Sequence, residues 1–189
     1  MSVWTHFDLV RPRLGAWGSS GHTSFIKFDS GSIHQNVSVG AKFGSSVANI
    51  GDLNGDGIDD LAVGASGESG LNLNGTVVSL SGGLYVLFLS KNGSVSSSVH
   101  INALSNGGPS LNSGDQFGYS VAGAGDLDGD SVPDILVGAP GFILSCAYIL
   151  FMQSDGVVKS IRLIRGQIQD ANPLPPSEVN GPPIQYGSR

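Results

Sequence analysis

Apolar positions in this chain come in short runs, each closed by Gly, Asn, Asp or Ser. The runs "LAVGA" (61–65) and "ILVGA" (135–139) are continuous, as in strands covered on both faces. "SSVHI" (97–101) and "KSIRL" (159–163) alternate polar with apolar, as in strands wet on one face. No long stretch repeats its apolar residues at helical spacing. The pattern predicts four strands near Phe43–Ile50, Asp60–Ala65, Leu84–Leu89 and Ser94–Ile101. It predicts four more near Phe117–Ala124, Asp134–Gly138, Ala147–Met152 and Val157–Leu163. Asn92-Gly93 and Asp155-Gly156 suit type I′ turns, in which both central residues take φ > 0. The last two strands of each set should therefore form a hairpin.

The two sets are copies. "AKFGSSVANIGDLNGDGIDDLAVGAS", from Ala41, aligns without a gap on "DQFGYSVAGAGDLDGDSVPDILVGAP", from Asp115. "LYVLFLSKNGSVSSSVHIN" (84–102) resembles "AYILFMQSDGVVKSIRLI" (147–164). The first copy holds surplus residues in "GESGLNLNGTVVSLSG" (67–82), which has loop composition. A degenerate second half lies upstream in "FIKFDSGSIHQNVSV" (25–39), and Tyr186-Gly187 looks like the opening of another unit. Four antiparallel strands per repeat is the pattern of a propeller blade. The expected fold is all-β, a partial β-propeller of about two and a half four-stranded antiparallel blades. The expected division is 1–40, an N-terminal segment with the degenerate half-blade; 41–102, a blade with an acidic loop at 52–60; 103–164, a blade with an acidic loop at 126–134 and strands from about 117; and 165–189, a Pro-rich linker opening a further repeat. Propellers close with roughly four to eight blades, so the sequence reads as a fragment of a longer protein.

The acidic loops carry the candidate chemistry. Asp52, Asn54, Asp56 and Asp60 stand at positions 1, 3, 5 and 9 of the first loop. Asp126, Asp128, Asp130 and Asp134 fill the same positions of the second. Hard oxygens at alternate residues suit Ca²⁺, which takes six to eight oxygen ligands. Position 7 would add a backbone carbonyl, from Ile58 and Val132. Gly55 and Gly57 let the first loop curl around an ion, whereas the second has Ser131 in place of Gly57. An EF-hand would need a Glu at position 12, where Val63 and Val137 stand instead. Mg²⁺ prefers an octahedral site that retains waters, and zinc lacks its Cys and His here. The expectation is two Ca²⁺ sites. Single Asp-Gly runs are ordinary turns, but two copies with every ligand position filled exceed turn chemistry.

Composition narrows the function. Of 189 residues, 40% are hydrophobic and 29 are Gly, which suits a globular all-β chain rich in turns. The net charge of −6 and a pI near 4.9 would repel nucleic acid and suit a cation. Cys146 has no partner for a disulfide and reads as a small buried hydrophobe. The N-terminal "MSVWTHFDLVRPRLGAW" lacks the apolar core of a signal peptide, and no apolar run is long enough to span a bilayer. His6, His22, His34 and His100 share no catalytic spacing and read as surface or turn residues. Trp4 and Trp17 read as packing or loop residues. No nucleophile elbow and no dinucleotide fingerprint is present. The chain is therefore expected not to be an enzyme. Asn36, Asn74 and Asn92 begin glycosylation sequons, as in a secreted glycoprotein.

"FGSSVANIGDLNGDGIDDLAVGAS" and "FGYSVAGAGDLDGDSVPDILVGAP" resemble FG-GAP repeats, the blades of the integrin α-subunit β-propeller. Phe43-Gly44 and Phe117-Gly118 match the family's FG, and Gly138-Ala139-Pro140 its GAP; Gly64-Ala65-Ser66 departs at the last place. The resemblance implies that the acidic loop joins the first two strands of a blade and holds Ca²⁺. It also implies an extracellular or cell-surface module for adhesion, with a protein or glycan ligand and neighbouring blades as partners. The alternative is an accessory propeller of a larger secreted enzyme, phospholipase-like or another hydrolase.

Overall fold

The computed structural model describes residues 37–71, 74–141 and 145–165. The predicted half-unit at 25–39, save for 37–39, lies outside the described residues, as do the Pro-rich stretch beyond Arg165, Tyr186-Gly187, His6, His22, His34, Trp4, Trp17 and Asn36. Among the described residues there are strands and turns and no helix.

The first sheet joins β1 (Phe43–Gly51), β2 (Asp60–Ala65), β5 (Leu84–Leu89) and β6 (Val95–Ile101), in that order and antiparallel throughout. The second joins β7 (Ser120–Gly125), β8 (Asp134–Ala139), β9 (Cys146–Met152) and β10 (Val158–Arg165) in the same way. Between β2 and β5 the surplus segment was expected as loop. It closes instead into a small hairpin of β3 (Gly70–Leu71) and β4 (Val77–Val78), because Asn74-Gly75 supplies the turn and a short apolar pair flanks each side.

The two sheets stack face to face. Ala62, Leu84, Val86, Phe88 and Ile101 of the first pack with Ile135, Val137, Tyr148, Leu150 and Met152 of the second in one core cluster. Leu84, Val86, Ile135, Val137 and Leu150 are wholly buried there. Dry, continuous apolar area of this kind is the main favourable term in the fold, at about 25 cal/mol per Å². The opposite face of the first sheet holds a second cluster with Leu61, Val63, Ala65, Tyr85 and Leu87. The opposite face of the second sheet is open at Leu136, 37% exposed, and Ile164, 44% exposed. The repeat makes these faces equivalent. Leu136, Ile149, Phe151 and Ile164 occupy the repeat positions of Ala62, Val86, Phe88 and Ile101. The stacking is thus front to back, and β8 is covered on one face where β2 is covered on both.

The seam between the sheets explains the FG and GA residues. Phe117 N–H donates to Ser81 O at 2.9 Å, so the second unit begins alongside 79–82 of the first. That is why β7 starts at Ser120 and not at Phe117 as predicted: the earlier backbone is engaged by its neighbour. Gly118 has φ +83°, and a Cβ built on Gly64 would overlap the Gly118 carbonyl oxygen. The same oxygen accepts from the Ser46 hydroxyl at 2.8 Å. Phe117 is fully buried and meets Tyr148 edge-on with centroids 5.6 Å apart; Phe43 and Tyr85 repeat the pair at 5.2 Å.

The hairpin turns differ from the type I′ prediction. Gly93 and Gly156 have positive φ, but Asn92 and Asp155 do not. Ser90 N–H bonds to Ser94 O, and Gln153 N–H to Val157 O, so each loop has three residues with glycine in the left-handed place. The Asn92 and Asp155 side chains instead accept from the backbone two residues on, at 3.0 Å each.

Candidate metal centre

Each acidic loop begins at a strand irregularity. The β1–β2 register shifts between Asn49 and Gly51, and the β7–β8 register between Gly123 and Gly125. A bulge bends the strand and turns the following residues out of the ladder. Both loops then sit at the same end of the stacked sheets, where a Cβ on Gly51 would lie 3.4 Å from Pro133 Cγ. This concentrates carboxylates on one rim.

Within the first loop Asp52 organises the curl. Its Oδ1 accepts from Gly55 N–H at 2.8 Å and Asp56 N–H at 3.0 Å, and its Oδ2 from Gly57 N–H at 2.8 Å. Asp126 repeats this with Gly129 at 2.7 Å, Asp130 at 3.2 Å and Ser131 at 2.8 Å. Asp56 and Asp130 each accept from the N–H two residues on, that of Ile58 or Val132, at 2.9 Å. Gly57 has φ +86° and Ser131 φ +71°. The second loop thus keeps the curl that glycine adopts freely, with a side chain that disfavours it. The exposed carboxylates of Asp126, Asp128 and Asp130 place oxygens within 4.8 Å of one another, a cluster that could hold a metal ion. Hard oxygens converging on one point are the donor set that a divalent cation such as Ca²⁺ takes.

Asp60 and Asp134 have a different place from the other ligand candidates. Both are fully buried. Asp60 accepts from Leu53 N–H at 3.1 Å and Leu89 N–H at 3.0 Å. Asp134 accepts from Leu127 N–H at 2.8 Å and Met152 N–H at 3.1 Å. Each therefore ties the loop to the end of the third strand of its sheet. Burial raises the Asp60 pKa above the usual carboxylate range, its two backbone bonds pull the other way, and the Asp56 and Asp52 charges raise it further. The loop and the apolar strand are joined here: the last acid of the loop is the first residue of the strand.

Sequence reading missed one participant. Lys159 Nζ, on β10, lies 2.7 Å from Asp128 Oδ2 and 2.7 Å from Asp130 Oδ2. Its hydrogen bond, with the Lys159 charge, lowers the Asp130 pKa, and the two carboxylates raise that of Lys159. The signal was available, since Asp128 replaces Asn54 and Lys159 replaces Ser96 between the copies.

Two further expectations are corrected. His100 is not a surface or turn residue: it lies in β6, stacks on Tyr85 with centroids 4.2 Å apart and sits 2.9 Å from the buried Glu68. An imidazole can stack on an aromatic ring and pair with a carboxylate at once, which draws it inward. Cys146 is only half-buried, because it starts β9 at the margin of the core.

Residues 43–80 and 117–149 match the FG-GAP repeat family. The chain is 33% identical to Integrin alpha-6 of Gallus gallus over 151 residues, which are 78% of this chain and 12% of that protein. It is 39% identical to Integrin alpha-8 of Mus musculus over 100 residues, 53% of this chain and 8% of that one. It is also 37% identical to Phosphatidylinositol-glycan-specific phospholipase D of Bos taurus over 102 residues, 52% of this chain and 10% of the other. The chain thus spans about a tenth of the length of these relatives. Among the described residues no helix is long and apolar enough to cross a membrane.

Proposed function

From a chain that carries two FG-GAP repeats, we propose a calcium-binding, non-catalytic propeller module that serves extracellular recognition or adhesion in the manner of integrin α subunits. The observation that carries the reading is the duplicated curl of Asp52 and Asp126, each gathering three successive N–H groups, with the Asp126, Asp128 and Asp130 oxygens of the second loop drawn within 4.8 Å of one another. The residues that would hold Ca²⁺ are Asp52, Asn54, Asp56, the Ile58 carbonyl and Asp60 in one loop. In the other they are Asp126, Asp128, Asp130, the Val132 carbonyl and Asp134. The bound ion would supply charge neutralisation and rigidity rather than reaction chemistry. The ligand would be a protein or glycan met outside the cell, where Ca²⁺ is abundant enough for sites of 10⁻⁴–10⁻³ M affinity. A second reading, an accessory propeller of a secreted enzyme, is favoured by the similarity to the phospholipase D.

Calorimetric titration of Ca²⁺ onto the chain tests the metal reading. Two sites are expected, with Asp56→Ala and Asp130→Ala each leaving one. Saturation at 100 times the dissociation constant should stabilise the fold by about 2.7 kcal/mol per site. A melting midpoint unmoved by Ca²⁺ or chelator would refute it.

A further inference from the structure

The two loops share a backbone but not a charge plan. The first has three carboxylates and Asn54 at its ligand positions, with no ammonium among its side-chain partners within the described residues. The second has four carboxylates, because Asp128 takes the place of Asn54. It also has Lys159, whose ammonium donates to Asp128 and Asp130 at 2.7 Å each. The equivalent residue in the first sheet is Ser96, whose hydroxyl turns away to donate to Phe88 O at 3.0 Å. One extra acid and one extra base have therefore entered the second loop together, and they touch.

We propose that Lys159 is a built-in counter-cation of the second loop. It holds the loop in the metal-free chain and must swing away before a dication can take the same oxygens. The proposal rests on the calcium reading of the loops and deepens it. An ammonium is a compact charge with three donors on a flexible stem. Lys159 is 44% exposed, so it can leave for water without disturbing the core. While it stays, it occupies two of the three clustered carboxylates, leaving Asp126 to its backbone donors. Two consequences follow. The second loop binds a dication more weakly than its four carboxylates alone would. It also loses less order than the first when the metal is removed, because its like charges already face a cation.

The test uses the full chain and Ca²⁺ alone. In an Asp56→Ala background only the second loop titrates, and Lys159→Ser should tighten it by roughly 3- to 10-fold. In an Asp130→Ala background, where the first loop titrates, Lys159→Ser should leave the affinity unchanged. In chelator, Lys159→Ser should lower the melting midpoint, and adding Asp128→Asn should restore it by rebuilding the first loop's chemistry in the second. Lys159→Gln serves as a second variant if the serine chain melts without cooperativity. Equal or weaker binding in the Asp56→Ala background overturns the displacement. A midpoint in chelator that does not fall overturns the holding role. If wild-type chain takes up no Ca²⁺, the calcium reading fails and the displacement with it, while the chelator melts still decide whether Lys159 holds the loop.

Discussion

Asp60→Ala should destabilise the protein even with no metal present, and Asp56→Ala should not. The two residues are alike in the sequence and four apart, yet their surroundings differ. Asp60 is fully buried and is the acceptor for Leu53 N–H and Leu89 N–H. Its removal strands two backbone donors, one of them on a residue only 2% exposed. A buried donor without a partner costs about 1–3 kcal/mol, which gives roughly 2–6 kcal/mol for the pair. Burial also disfavours the ionised carboxylate, as its raised pKa shows, so deleting it returns part of that cost. The expected net loss is about 2–4 kcal/mol. Asp56 accepts from Ile58 N–H on an exposed loop, where water replaces it, and its loss should stay within about 0.5 kcal/mol. Urea unfolding in chelator at neutral pH measures both, with unchanged slopes showing that the unfolding reaction is the same. In Ca²⁺ both variants should lose the metal increment of the first loop. If Asp60→Ala in chelator matches wild type, or if Asp56→Ala costs as much as Asp60→Ala, the view of Asp60 as the tie between loop and sheet is wrong.

Three other outcomes are expected. The Tyr85 hydroxyl is buried without a well-aligned hydrogen-bond partner among the described residues, with only the Glu68 carboxylate acting on it, so Tyr85→Phe should not lower stability and should raise it by at most roughly 1 kcal/mol in thermal or urea unfolding. Burial also lifts the Tyr85 and Tyr148 pKa values above the ordinary 10.0, so folded tyrosines keep protons that unfolded ones release. Their contribution is intact below pH 10 and is lost as the pH rises beyond it, and Tyr85→Phe should push the alkaline transition upward; a transition unmoved by the substitution would show that Tyr85 does not drive it. Gly64→Ala should cost about 1–3 kcal/mol, because its methyl meets the Gly118 backbone, which cannot turn aside as the Ser46 hydroxyl beside it can; a variant as stable as wild type would show that the seam can open.

The strands and acidic loops were legible in the sequence because each rests on local pattern. Period-2 alternation, continuous apolar runs and Asp-Gly spacing are properties of a few adjacent residues, and β2 and β5 fall on Asp60–Ala65 and Leu84–Leu89 as predicted. What escaped depended on residues distant in sequence. Lys159 meets Asp128 across 31 positions, and Glu68 meets His100 across 32. The start of β7 was misplaced because the bond from Phe117 to Ser81 belongs to the neighbouring unit. The turn type was misread for a local reason: an Asn-Gly pair serves two loop lengths, and the side chains of Asn92 and Asp155 favoured the longer.

The front-to-back stacking of the two sheets has a consequence for assembly. A heterologous contact carries no internal limit: the same operation can be applied again, and it either closes a ring or grows without end. The open face of the second sheet repeats the buried face of the first, but not side chain for side chain. Leu136 stands where the buried face has Ala62, and Arg162 where it has Val99. A second copy offering the surface that fits Ala62 and Val99 would meet a larger side chain and a guanidinium that must keep its water or find an acceptor. The seam is therefore keyed to its own pair of units, and the order of units along the chain is written into the side chains that separate them.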